Sequence, residues 1–492
     1  MTLAVMEHLV ATEGDYVLTL LGTCRKWREL ALTSSTLWTN LDITTRTKHP
    51  RSKAEFWIAR SRKRIYTCRI GDHWEIDEDT FPWEHIVSLT LEGESVLRVR
   101  EFLGRDGVVP RLESLDITLE DRPRVHSINP EFWVPLLLPD LRDFTFVGST
   151  VTLVPFPTRL KRLRTLDFRL DGFQAGEHEL MMQMLRVNEE SLESVTVRSM
   201  IRLTPPPPGT PPPPAQDPIL LQNLTSFNLV TDRAAPLLDI FRPVFEGIRI
   251  QSPNLQSLKL GWFCINFALV RIMDSCPLHN LTQLSLECVG VHAQALGRLF
   301  VLAPNLERIA VMESRLAQES VVELLADPDT LNIEQEEVES LGFAMSSPVP
   351  LPPLPQSYLE DLNAKDWDDE TQQWVHYDRP LLCPKLKHLE IVFHTGVVGA
   401  PQVDDEMLMD LITRRLPHDP RKVPKLARKG SSSSPCRPKT PEVPWRRSRP
   451  ERDGERPASL QSLTIRGCGF KSKKSDSLEW FVRNVPDFTY TK

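Results

Sequence analysis

Apolar residues recur along most of the chain in one six-residue register, at positions 1, 4 and 6. LESLDI starts at Leu112, LRDFTF at Leu141, LRTLDF at Leu163, LESVTV at Leu192 and LTSFNL at Leu224. LQSLKL at Leu255, LTQLSL at Leu281, LERIAV at Leu306, LKHLEI at Leu386 and LQSLTI at Leu460 continue it, with IVSLTL at Ile86 and VESLGF at Val338 as weaker members. Positions 3 and 5 are mostly polar, so the second half of each hexad alternates with the period of a strand buried on one face. Between hexads the period becomes helical, in HELMMQMLRV from His178, NFALVRIMDS from Asn266, HAQALGRLFVL from His292 and EMLMDLITRR from Glu406.

Single hexads are cheap in a chain this rich in large apolar residues. A proline two residues ahead of the first leucine, at Pro110, Pro139, Pro253, Pro304 and Pro384, is harder to obtain by accident. Proline cannot continue a helix and pushes its predecessor toward extended geometry, so the helix stops and the strand begins there. Through the regular region the starts advance by about 22 to 32 residues, close to the leucine-rich repeat period. The chain from about 86 to 492 resembles a leucine-rich repeat solenoid. LQSLTIRGC, Leu460 to Cys468, fits the L-x-x-L-x-L-x-x-C form, and most other hexads lack the Asn or Cys. The resemblance implies an α/β fold, a parallel sheet backed by helices, each unit burying its apolar edge against its neighbours. A purely helical solenoid is the rival reading.

Composition changes this picture in three places. Of 42 prolines, 23 fall in residues 204–218, 346–355 and 417–458. TPPPPGTPPPPAQDP reads as an extended polyproline spacer, either a solvated loop or a ligand for an SH3 or WW-type domain. SPVPLPPLPQS leads into an acidic stretch ending at Trp374, read as an excursion with Trp367 and Trp374 packing back. Insertions at about 204–218, 346–378 and 414–458 are therefore expected to be disordered. Residues 414–456 hold 14 Lys plus Arg against 5 Asp plus Glu, which leaves a body of −16 within the net charge of −7. That body is a poor surface for a phosphate backbone, so nucleic acid is an unfavoured partner. Ser434 and Thr440 each precede proline in this basic segment, compatible with a phosphorylation-tuned linker or an import signal, and equally with a plain basic loop.

At the N-terminus, Leu20, Leu21, Cys24, Trp27, Leu30 and Ala31 mark an apolar stripe on one amphipathic helix, with Arg25, Lys26, Arg28 and Glu29 mostly opposite. Thr33 to Thr36 end it, and Leu37 and Trp38 form a second apolar anchor. The order CRKWRELAL, then LWTNLDI, resembles the second half of an F-box, particularly those of large fungal F-box families. EFWIARSRKRIYTCRI from Glu55 is similar to the helix and strand that follow in them. The resemblance covers about the first 70 residues and is abbreviated at its front, where the family's Leu-Pro opening is missing. It implies an all-α F-box-like domain over 1–45, a connecting helix and strand over 46–85, and the repeats over 86–492. Carried over by residue, Val5 and Leu9 are remnants of the first helix, and Leu20, Cys24, Trp27, Leu37 and Trp38 form the core or the adaptor-facing surface.

Catalytic fingerprints are missing: no H-E-x-x-H, P-loop, G-x-S-x-G or dinucleotide motif occurs. GCGFKS at Gly467 reads as a turn after a strand. His388 and His394 flank Glu390 and bind metal only with ligands from elsewhere. The eight cysteines show no metal or disulfide spacing. The N-terminus lacks a signal peptide's basic region and no apolar run approaches the roughly 20 residues of a membrane span, so a soluble protein of cytoplasm, nucleus or both is expected. Positions 3 and 5 of the hexads should line the solenoid's concave face, among them Asp116, Asp143, Asp167, Lys259, Gln283, Arg308, His388 and Glu390. These rows suit a protein target. The two resemblances together imply a non-enzymatic substrate receptor, with no cofactor, of a ubiquitin ligase containing a Skp adaptor and a cullin scaffold. The alternative is a repeat scaffold without ligase coupling.

Overall fold

The computed structural model describes residues 2–12, 15–44, 47–71, 81–93, 111–118, 138, 140–148, 160, 162–170, 183–199, 219–231, 250–261, 266–287, 291–327, 331, 337–338, 349–363, 365–368, 373–376, 381–393, 402–415, 458–471 and 475–491. The insertion expected at 204–218 lies outside these residues, as do 416–457 of the one expected at 414–458, His178 and His394; at the edge of the latter stretch Arg415 is buried rather than disordered. The chain divides into two compact units, Met1–Pro253 and Asn254–Lys492.

The first unit opens with helices α1 (Thr2–Thr12), α2 (Tyr16–Thr23) and α3 (Arg25–Thr33), followed by a 3-10 turn, Ser35–Trp38. Strand β1 (Asn40–Ile43), helix α4 (Pro50–Ser61) and β2 (Thr67–Ile70) come next. The strands β3 (Ser88–Glu92), β4 (Ser114–Thr118), β5 (Asp143–Gly148), β6 (Thr165–Leu170) and β7 (Ser194–Ser199) follow. β8 (Ile219–Leu220), β9 (Ser226–Thr231) and β10 (Ile250–Gln251) complete the unit, with a helical turn at 183–187. β1 to β7 and then β9 pair in chain order, every pair parallel. β8 and β10 form a separate parallel ladder.

The second unit contains β11 (Ser257–Gly261), α5 (Asn266–Ser275), β12 (Gln283–Glu287), α6 (Ala293–Leu302), β13 (Arg308–Met312) and α7 (Arg315–Ala326). Then come β14 (Glu337–Val338), β15 (Val349–Pro350), α8 (Gln356–Leu362), β16 (Lys365–Asp368) and β17 (Gln373–His376). β18 (His388–Val392), β19 (Gln402–Val403), α9 (Asp405–Thr413), β20 (Ser462–Arg466), β21 (Gly469–Phe470), α10 (Ser475–Asn484) and β22 (Asp487–Thr491) close it. β11, β12, β13, β18, β20 and β22 make a parallel sheet in that order. Helices α5, α6, α7, α9 and α10 pack each against the next. This is a mixed α/β, solenoid-like arrangement, and the hexads lie in strands, which excludes the purely helical rival.

The register explains the sequence pattern. In all ten strong hexads positions 1, 4 and 6 are buried, and parallel pairing without slippage stacks them into apolar rows such as Leu258, Leu284, Ile309, Leu389 and Leu463. The turns ahead are fixed by side chains reaching one repeat back: Thr225 and Thr282 hydroxyls donate to the Glu193 and Gln256 carbonyls at 3.0 and 3.1 Å. Ser314 and Asp404 cap α7 and α9, accepting from the amides of Ala317 and Met407.

Four expectations need correction. A strand, Asn40–Ile43, falls in the stretch expected to be all-α, and the connecting strand Thr67–Ile70 joins the same parallel sheet ahead of residue 86, because Trp38, Leu41 and Ile43, then Ile65, Cys68 and Ile70, bury the same 1, 4, 6 positions without a leading leucine. Val338 is no repeat strand: Glu337–Val338 pairs antiparallel with Val349–Pro350, and β13 pairs directly with β18. Residues 346–378, expected to be disordered, contain β15, α8 and the antiparallel β16–β17 pair, in whose backbone register Trp367 is the partner of Trp374. Finally, the N-terminal amphipathic stripe is two helices, broken where Cys24 turns extended at φ −157° and ψ 166°. Gly22 weakens that last turn, Thr23 turns its hydroxyl back on the Thr19 carbonyl at 3.0 Å, and Arg28 Nε takes the Leu21 carbonyl at 2.8 Å.

Candidate protein-binding surfaces

The first candidate surface is the helical front. Leu37 and Trp38 are fully buried and Leu20 nearly so. The Trp38 indole N–H donates to the Ala31 carbonyl at 2.7 Å, and its ring meets Trp57 and Phe56 edge-on, with centroids 4.8 and 5.1 Å away. Asn40 ties this core to α1 by donating to the Val10 carbonyl at 3.1 Å, while Trp57 Nε1 donates to the Asn40 carbonyl at 2.9 Å. Thr36 donates to Glu7 at 2.7 Å, and Lys53 joins Asp15 at 2.6 Å.

The sequence-assigned front residues thus separate into two sets. Leu20, Leu37 and Trp38 are core. Val5 and Leu9, one turn apart on α1, are 50% and 37% exposed, Cys24 is exposed and Trp27 is half-buried. Leu18 on α2, which the sequence reading passed over, is 45% exposed. Its signal was available: Val17 and Leu20 already occupy the inward face of a two-turn helix, so Leu18 must point away.

The second candidate surface is the exposed face of each sheet. In the first unit Asp143 lies in the row that starts each hexad strand, and Asp116 and Asp167 lie in the next row inward along the strands. Register places Asp42 and Arg69 in that same row, and Glu92 and Arg169 in the row beyond. Arg69 Nε donates to Glu92 at 2.8 Å, and Arg169 pairs with Asp167 at 2.9 Å. Burial pushes the Asp116 carboxyl above the ordinary carboxylate value, with Asp167 and Glu92 adding to the shift and Arg169 and Arg69 opposing it. Asp42 moves the same way, again mainly by burial.

In the second unit Gln283, Arg308 and His388 are consecutive in one row, so three of the sequence candidates are direct neighbours. His388 Nδ1 lies 3.2 Å from Ser462 Oγ. Burial, then Arg308, holds its imidazole below the ordinary value, against the pull of Glu307. Lys259 and Glu390 sit three strands apart in the adjacent row, and Lys259 is engaged by Glu287 at 2.7 Å. The sequence reading missed Asp42, Arg69, Glu92 and Arg169. Asp42 lies in a strand it had not assigned, Arg69 in the strand it took only as a connector, and the last two fall at the position after the hexad.

Among the described residues no group of three or more His, Cys, Asp or Glu side chains is placed to hold a metal ion, and no helix is long and apolar enough to cross a membrane. Compared with known proteins, the chain matches no family model and no curated protein.

Proposed function

We propose that this chain is a non-catalytic substrate-recognition subunit of a Skp, cullin and F-box ubiquitin ligase. In this reading α1 to α3 form an abbreviated F-box-like domain that docks the Skp adaptor. The stacked strands and helices are leucine-rich repeats whose exposed sheet face takes a protein target. The observation that carries the reading is the division of the front into a closed core, Leu20, Leu37 and Trp38, and outward apolar side chains, Val5, Leu9 and Leu18. Apolar side chains held outward on short helices, over a core that is complete without them, suit a partner that covers them. Small polar and charged side chains on the sheet face suit a protein target better than a reaction.

The test is co-expression with a Skp-family adaptor followed by purification. The full chain is expected to retain the adaptor, and Val5→Ser with Leu9→Ser is expected to lose it while the far-ultraviolet dichroism stays unchanged. A full chain that purifies without the adaptor sinks the ligase reading. If it still captures a target, the scaffold without ligase coupling takes its place.

A further inference from the structure

The exposed sheet face of the first unit has an uneven charge balance. Its two central arginines are already engaged, Arg69 by Glu92 and Arg169 by Asp167. Asp42 and Asp116 form no ion pair with any described residue. Each has its Oδ1 closed off from solvent without a hydrogen-bond partner, and so has Asn228 in the same register row. Every orphaned side-chain atom of this row is therefore an acceptor. An ionised carboxylate with one oxygen both dehydrated and unbonded is held at a cost that an approaching cation offsets. Neither an anionic lipid surface nor a nucleic-acid backbone supplies that cation, whereas a lysine or arginine side chain does.

Spacing narrows the ligand further. Asp42 and Asp116 stand in one row, three strands apart. Neighbouring strands are about 4.8 Å apart, so the two carboxylates are about 14 Å apart along the row, which an extended chain covers in about four residues. We infer that this face docks an extended segment of a protein partner carrying two basic side chains about four residues apart, one on Asp42 and one on Asp116. The inference rests on the reading that the sheet face takes a protein target, and it specifies that target's chemistry.

The probe is a synthetic twelve-residue peptide of Gly, Ser and Thr with arginine at its fourth and eighth positions, titrated calorimetrically into the full chain. Two controls carry arginine at the fourth and fifth positions, or glutamate at the fourth and eighth. The spaced arginine peptide is expected to bind best, and Asp42→Asn with Asp116→Asn to weaken it about tenfold or more without lowering the unfolding midpoint. Absence of saturable binding, equal binding of the adjacent-arginine peptide, or undiminished binding by the double variant overturns the inference. Adaptor co-purification is measured on the same samples. Adaptor retained while peptide discrimination fails refutes the inference and leaves the receptor reading standing. Discrimination without any adaptor supports the inference and refutes ligase coupling.

Discussion

Trp38 and Ala31 are joined by an indole N–H to carbonyl hydrogen bond of 2.7 Å, and both residues are fully buried. The bond crosses from the 3-10 turn that leads into β1 to the last turn of α3, so the helical front and the first strand share one core. Trp38→Phe keeps most of the apolar volume and removes the donor, leaving the buried Ala31 carbonyl short of a partner, at a cost of about 1–3 kcal/mol. Trp38→Ala also opens a cavity against Trp57 and Phe56 and costs about 3–5 kcal/mol. Denaturant unfolding of both variants checks the order.

Val5 and Leu9 are predicted to behave in the opposite way. Because both point outward from α1, Val5→Ser and Leu9→Ser each change stability by no more than about 0.5 kcal/mol, yet together abolish adaptor retention. Substituting the buried Leu37 tests folding rather than binding. A Leu37→Ala variant that lost the adaptor would report a core cavity costing about 2–5 kcal/mol, so the exposed pair is the informative one. Thermal melts run beside the co-purification separate the two causes.

What the sequence showed and what it hid follow from the same physics. The 1, 4, 6 spacing was legible wherever leucine led it, since a leucine at position 1 and a branched or aromatic residue at 4 and 6 bury together in every such strand. It was hidden where Trp38, Ile65 or Val485 took the leading place, and those three positions lie two residues ahead of β1, β2 and β22. Charge partners were less legible. Arg142 meets Glu113 at 3.4 Å and Lys387 meets Glu307 at 3.0 Å because parallel register puts position 2 of adjacent repeats side by side. In the second pair the partners are far apart in sequence, and only the strand order reveals that they are neighbours.

Asp42 and Asp116 give a pH dependence of defined sign. Burial raises both above their ordinary 3.8, so between that value and the raised folded value the native chain binds more protons than the unfolded one. Stability contributed by these groups therefore rises as pH falls from neutral into that window. Asp116→Asn is expected to raise the unfolding midpoint at pH 7 and to leave it nearly unchanged at pH 3, where the wild-type carboxyl is protonated in both states. A variant that destabilised equally at both pH values would show that Asp116 acts through contacts and not through its charge.

Arg415 is a buried guanidinium, 1% exposed, at the end of α9. It donates to the carbonyls of Leu382 at 2.7 Å and Cys383 at 2.9 Å, and burial lowers its pKa. Cys383 adopts φ 49°, and burial pushes its thiol up to about 12. The arginine thus stitches α9 to the turn that feeds β18. Arg415→Lys supplies a point charge in place of a planar fork and cannot reach both carbonyls with the same geometry, so it should cost about 2–4 kcal/mol. Arg415→Met removes the charge while keeping much of the volume, and is expected to cost less. Guanidinium-chloride unfolding of the two variants decides the order, and a milder lysine variant would mean that charge, not shape, makes the stitch.

Gly467 follows β20 with φ 69° and donates its amide to the Thr491 carbonyl at 2.7 Å, joining the end of β20 to the end of β22. A side chain here meets two obstacles. The left-handed backbone disfavours any Cβ, and an added Cβ would stand 1.8 Å from the Phe393 carbonyl oxygen, a backbone atom that cannot swing aside. Gly467→Ala must therefore move β20 away from the end of β18, and should destabilise by about 3 kcal/mol. Gly469, with nothing within 4 Å of the same imagined atom, should tolerate alanine at a change within about 0.5 kcal/mol. Denaturant melts of the two alanine variants make the comparison. If Gly467→Ala unfolded at the wild-type denaturant concentration, the close approach of β20 to Phe393 would be wrong, and with it the tight turn that returns the chain toward α10.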